Sequence, residues 1–350
     1  TRKYESALQG SLFQDNVSVD VYNNLIDAVH ENLDTLNDYI DLKKKFLGLD
    51  KINMYDLYVP LTESFDMEIP YEKAQKIILE ALKPLGEEYL ENVKKAFAEG
   101  WIDVYGNEGK QGGAYSWGSY DSKSYILMSY KDDLNSLFTL IHEMGHSMHS
   151  FYSKNNQPYL YSGYKIFVAE VASTLNELLL INYLLKNAKS KEERVYLLNY
   201  YLEQFRTTVY RQTMFAEFEK ICHGKVEEGE PLTAEDFNNI YYDLNKKYYG
   251  ESCEVNEEIA LEWARIPHFY SNFYVYKYAT GFSAASALSK QILEEGESAV
   301  SRYKEFLKSG GSEFPLDQLR KAGIDMEKKE SVDEALHVFK DLVKQLEKEL

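Results

Sequence analysis

Only two cysteines occur in the 350 residues, Cys222 and Cys253. They cannot make a disulfide scaffold, and free thiols in a reducing compartment are the expectation for so few in a chain this long. Basic residues are also short in number, 39 Lys and Arg against 57 Asp and Glu, a net charge of −18. Phosphate binding needs clustered cations, so no nucleic-acid partner is expected. The charge serves solubility, and an acidic cleft would favour basic or neutral peptides. No stretch offers 18 consecutive apolar residues and the first residues contain no apolar leader. No membrane partner is expected, and the cytoplasm is the default location. The five glycines between Gly106 and Gly118 fit neither phosphate-binding spacing. They read better as a loop over a site or as a surface turn. There is no internal repeat and no low-complexity segment.

What is present is enough apolar material for a core, 44% of the chain, and 30 tyrosines. Most tyrosines read as packing residues with the hydroxyl at the surface. A helix is predicted over 17–47, with Gly48 as its stop. Helical spacing resumes from Tyr71 to Phe97, interrupted at Pro84. From Trp101 to Tyr130 the pattern turns to alternation, which predicts a small antiparallel sheet. Beyond it the chain reads as helical, with one long helix over 192–221. Capping boxes are predicted at Thr233 with Asp236 and at Ser331 with Glu334, and a helix over 271–294. The length suits one large domain or two. The reading adopted is one domain over 1–350: a helical leading part (1–100), the sheet and Gly-rich loop (101–130), and a helical site-bearing part (131–350).

The centre of the chain is His142-Glu143-Met144-Gly145-His146. Leu134, Leu137, Phe138, Ile141 and Met148 keep helical spacing around it, with Asp132 as the expected N-cap. On a helix, residues four apart share a face about one turn of 5.4 Å apart. Both imidazoles can then meet one zinc at about 2.0–2.1 Å. Glu143, offset by about 100° around the helix, stands beside the metal, where a carboxylate can accept a proton from a zinc-bound water.

A catalytic zinc takes three protein ligands and keeps a position open. A loop by composition lies at 154–163, and a second helix is predicted over 164–185. Helices joined this way run antiparallel. His146 is twelve residues before Pro158 and Glu170 twelve after it, so the two stand level. Phe167, Val168, Ala169, Val171 and Ala172 surround Glu170, and a carboxylate there needs a partner. Ser173 and Glu177 follow at one and two turns, placed to orient a ligand histidine. His149 reads as a packing residue. Cys222 and His223 have no metal-ligand companion and no role is assigned to them.

The motif resembles the oligoendopeptidase F branch of the thimet oligopeptidase family of zinc metallopeptidases. The resemblance is carried by His142 to His149, by Phe167 to Glu177, by Gly112 to Gly118, by Arg265 to Tyr270 and by Phe273 to Gly281. It implies a mostly α, zincin-like helical metallopeptidase fold (neurolysin/thimet-like), with the small antiparallel sheet beside the zinc helix. It implies one Zn2+ per chain held by His142, His146 and Glu170, Glu143 as general base, and a histidine and tyrosines of the C-terminal stretch on the oxyanion. His268 and Tyr278 fit that last role, with Tyr274 and Tyr276 behind. It also implies a substantial helical region ahead of the catalytic part, so that the chain reads as a fragment or a shorter relative.

The leading expectation is a zinc-dependent endopeptidase cutting internal bonds of short peptides, possessed of a sheet edge to which an extended substrate adds. A zinc carboxypeptidase of similar helical fold stays open, because Arg265 and Lys277 could hold a terminal carboxylate. A non-catalytic, zinc-stabilised peptide-binding protein is a third reading, weakened because structural sites are usually closed by four ligands. The sequence leaves the oligomeric state unspecified.

Overall fold

Apolar residues at three- and four-residue spacing close into helices over most of the chain. The computed structural model describes residues 3–61 and 67–350. The chain divides into two compact units, each assembled from separate stretches: 1–64, 190–283 and 326–350 in one, 65–189 and 284–325 in the other. The single stretch of 1–350 is thus shared between two units, neither of them contiguous in sequence.

In the first unit, the helix predicted over 17–47 is two helices, Val19–Glu31 and Leu33–Phe46. The break falls at Asn32, whose backbone (φ −116°, ψ 13°) leaves the helical region and whose Nδ2 donates to Ala28 O. Gly48 takes the positive φ expected of a helix stop. The helix expected over 192–221 is Lys191–Phe205 and Arg211–Glu227, joined by a π-helical turn at Arg206–Tyr210. Thr233 and Asp236 form the predicted capping box. Ser331 does not cap: the last helix, Glu330–Glu349, starts one residue before it, with Lys329 at the N-cap. Tyr39, Phe205 and Tyr210 pack around Phe339 of that helix. Cys222 and Cys253 are buried free thiols.

The second unit opens with helices Tyr71–Ala81 and Glu87–Ala98, parted by a 3-10 turn that contains Pro84. Three short strands follow, β1 (Ile102–Asp103), β2 (Tyr115–Trp117) and β3 (Tyr125–Leu127), in the order β1-β3-β2. β2 and β3 pair antiparallel, as expected, but β1 and β3 are parallel. β2 lies between them in sequence and turns the chain back, so the third strand regains the direction of the first. The sheet is therefore mixed.

The motif helix, Leu134–Asn156, comes next. Its N-cap is Asp133, whose Oδ1 accepts from Ser136 N at 2.7 Å, and not Asp132, whose φ is +57°. Leu137, Leu140, Ile141, Met144 and Met148 are fully buried. Each such side chain contributes about 1.5–3 kcal/mol, so the helix is firmly seated. Ser147 Oγ donates to Ser124 O, tying it to the start of β3. The partner helix, Ile166–Asn187, is largely apolar, with Glu170, Glu177 and Lys186 its charged residues. It is the one helix among the described residues long and apolar enough to cross a membrane, and most of it is buried within the fold.

Candidate metal centre

Two helices must approach closely for imidazoles on one to meet a carboxylate on the other. Gly145, between the two motif histidines, permits it. A β-carbon there would sit 2.5 Å from Ser173 Cα and 2.6 Å from Ala172 O on the partner helix. No side chain fits at that distance.

Across this contact the structure brings His142, His146 and Glu170 together. Glu170 Oε2 lies 3.4 Å from Nε2 of each histidine. The three donor atoms fall within 4.8 Å of one another. The imidazole planes stand nearly perpendicular (83°) with centroids 4.9 Å apart. Ligands about 2.0–2.1 Å from a tetrahedral centre are spaced about 3.4 Å apart, so a carboxylate oxygen at this separation from each imidazole nitrogen suits a zinc-like cation.

The neighbours of these residues hold them in place. His142 Nδ1 donates to Glu177 Oε1 at 2.5 Å, which leaves Nε2 to face Glu170. Ser173 Oγ donates to Glu170 Oε2 at 2.9 Å and to Glu170 O at 3.0 Å. Ser173 thus orients the carboxylate and not a histidine, while Glu177 takes the role foreseen for either. Burial disfavours charge on His142, yet Glu177, with Glu170 and Glu143 behind it, pushes its pKa up to about 9. Burial likewise opposes charge on Glu170, but His146, His142 and Ser173 hold it at about 2. Donors that favour positive charge between them in this way suit a shared proton or cation.

Glu143 is 7% exposed, and its Oε2 has no hydrogen-bond partner among the described residues. Burial raises its pKa, against the lowering pull of His142 and His146. A carboxylate with a raised pKa beside a cation site suits proton transfer. His149 has no access to solvent and neither ring nitrogen is bonded among the described residues. Its ring stacks on Tyr164 at 3.7 Å and 2° and leans on Phe306. It is a packing residue.

His268 and Tyr278 belong to the first unit, where they form a ring cluster of their own. Tyr278 Oη lies 3.3 Å from His268 Nε2. Tyr274 stacks on His268 (5.9 Å, 10°) and meets Tyr278 edge-on. Tyr276 is apart from them, fully buried with its ring against Tyr22. The helix here is Tyr276–Glu295, so residues 271–275, expected to be helical, are a loop that carries Tyr274. Glu219, which bonds to that loop, gave no signal in the sequence, being one acidic residue in an amphipathic helix.

This architecture, a His-Glu-x-x-His helix crossed by a carboxylate-bearing partner, is that of the helical metallopeptidase fold. The chain belongs to peptidase family M3, whose profile matches residues 1–338. It is 52% identical over 346 residues to the oligopeptidase PepF of Bacillus subtilis, covering 99% of this chain and 52% of that protein. It is 47% identical to an oligoendopeptidase F homolog of Lactococcus lactis, covering 99% of this chain and 58% of the other. The crystal structure of oligoendopeptidase-F from Enterococcus faecium superposes with a TM-score of 0.79 at 40% identity, covering 99% of this chain and 56% of that one. The chain spans about half the length of the curated relatives it matches.

Proposed function

We propose that this chain is the catalytic part of a zinc-dependent oligoendopeptidase that hydrolyses internal bonds of short peptides. The observation that carries the reading is the convergence of His142 Nε2, His146 Nε2 and Glu170 Oε2, with Glu143 buried beside them. A bound zinc supplies Lewis acidity and makes water nucleophilic at neutral pH. Glu143 takes a proton from the attacking water as the new C–O bond forms, then passes it to the leaving nitrogen as the C–N bond breaks. Glu177 keeps His142 in the tautomer that presents Nε2. His268 and Tyr278 are assigned hydrogen-bond donation to the developing oxyanion, supported by their mutual contact and by the family resemblance. Tyr276 is too deeply buried for that role.

The edge strand β2 exposes Tyr115 and Trp117. An extended peptide adds to such an edge through main-chain hydrogen bonds, which suits broad sequence tolerance. The carboxypeptidase reading loses support. Lys277 Nζ is paired with Asp15 Oδ2 at 2.7 Å, and Arg265 is paired with Glu262, so neither is an uncommitted cation for a terminal carboxylate. The structural-zinc reading loses support too, because the cluster among the described residues has three members and no fourth ligand closes it.

The test is hydrolysis of an internally quenched oligopeptide blocked at both ends, with chelator and with zinc restored. Chelator-sensitive internal cleavage is expected. Zinc bound stoichiometrically with no cleavage of blocked peptides, but trimming of free C-termini, would replace this reading by the carboxypeptidase one.

A further inference from the structure

The loop that carries Tyr274 contains a strained residue. Phe273 has φ +55°, the left-handed region that a bulky side chain rarely enters. Such a conformation persists only where its surroundings impose it. Here they do so from several sides. The ring is buried, edge-on to Tyr22 (5.9 Å) and 4.6 Å from the His223 ring. The backbone of the preceding Asn272 accepts from Ser11 Oγ, and the following Lys277 is paired with Asp15.

Among the described residues, the backbone of Phe273 itself is held by one group. Glu219 Oε1, on helix Arg211–Glu227, accepts the Phe273 amide at 2.7 Å. Glu219 is 3% exposed, and its Oε2 has no hydrogen-bond partner among the described residues. No ion pair joins it to a cation among them. Burial pushes its carboxyl up to about 8, with the amide bond pulling the other way. A core position packed for stability alone would be apolar, because a buried carboxyl with one backbone partner is costly. What Glu219 does is pin the turn from which Tyr274 stacks on His268 and after which Tyr278 reaches His268 Nε2.

We propose that Glu219 is a positioning residue for the His268–Tyr274–Tyr278 cluster, acting through the Phe273 amide. The proposal rests on the assignment of His268 and Tyr278 to the oxyanion. Two readouts separate the two ideas. The first is kcat and KM for a blocked peptide. The second is the 19F resonance of fluorotyrosine placed at position 278, which reports the placement of the ring whatever its role.

Glu219→Leu, which removes the acceptor, is expected to lower kcat by roughly tenfold or more with KM and metal content little changed, since small misplacement of a catalytic group costs up to about 10²-fold. The 19F resonance should shift. Glu219→Gln keeps an acceptor oxygen and should restore both. In a Tyr278→Phe background, Glu219→Leu should add little further loss. Should the Leu protein fail to fold, Glu219→Asp takes its place, because one methylene fewer withdraws the acceptor from Phe273 N. An unshifted resonance in a folded Leu or Asp variant, or a loss that the Gln variant shares equally, overturns the proposal. A shifted resonance with kcat unchanged upholds the positioning and overturns the oxyanion assignment instead.

Discussion

Glu177 Oε1 lies 2.5 Å from His142 Nδ1, on the side of the ring away from Glu170. The carboxylate sets which nitrogen keeps its proton, so that the other is presented as a donor. Carboxylate partners of this kind tune ligand basicity and orientation. Glu177→Gln should weaken zinc affinity about 10–100-fold while retaining most activity at saturating zinc. Competition with a chromophoric chelator measures it, and unchanged affinity would remove Glu177 from the site.

Glu143 lies outside the trio of donors, so Glu143→Gln separates metal binding from turnover. The variant should hold zinc stoichiometrically and lose about 10²–10⁴-fold in kcat, the usual worth of a positioned base. Metal analysis and the quenched-peptide assay read the two quantities in one preparation. Loss of the metal with the activity would instead make Glu143 a ligand.

Gly145→Ala pits two effects against each other. Alanine favours a helix over glycine by about 0.5–1 kcal/mol. The new methyl, however, meets backbone atoms of Ser173 and Ala172 at 2.5–2.8 Å, which cannot rotate away. Overpacking of this kind costs about 1–3 kcal/mol and wins. Lower thermal stability and weaker zinc binding are expected together. A raised melting temperature would contradict the close crossing.

His149 makes acid sensitivity predictable. Burial, helped by the charge of His146, pushes its pKa down to about 3. Unfolded, it titrates near 6.5, so the unfolded chain binds the extra proton first as pH falls. Its contribution is complete above about pH 6.5 and is lost progressively towards pH 3. At pH 5 the loss is about 2 kcal/mol, 1.5 pH units at 1.36 kcal/mol each. His149→Phe keeps a ring against Tyr164 and removes the titration. Its melting temperature relative to the parent should rise between pH 7 and pH 5. A gap that does not change with pH would mean that the ring is protonated while folded.

The two helices of the candidate site were legible because their signals are local or nearly so. The apolar stripe from Leu134 to Met148 fixes the motif helix, and counting outward from Pro158 sets Glu170 level with His146. Features chosen by tertiary packing were not legible. Asp132 and Asp133 are equally good caps on paper, and only the left-handed backbone at Asp132 selects Asp133. The π turn at Arg206–Tyr210 and the break at Asn32 carry neither proline nor glycine to announce them. The parallel pairing of β1 with β3 depends on which strand enters the middle, which alternation does not encode. Glu219 and Phe273 meet across 54 positions of sequence, and no local pattern joins them.

The interleaving of the two units has a consequence for biosynthesis. The unit that includes 1–64 also needs 190–283 and 326–350, and the unit that includes the motif helix needs 284–325. Neither can close as its first segment leaves the ribosome. Loop closure between distant segments is slow, and apolar surfaces stay uncovered while it waits. The largely apolar helix Ile166–Asn187 is made before the segments 284–325 and 326–350 exist. A nascent chain stalled before residue 284 should therefore engage chaperones strongly, and release from them should track synthesis of the later segments.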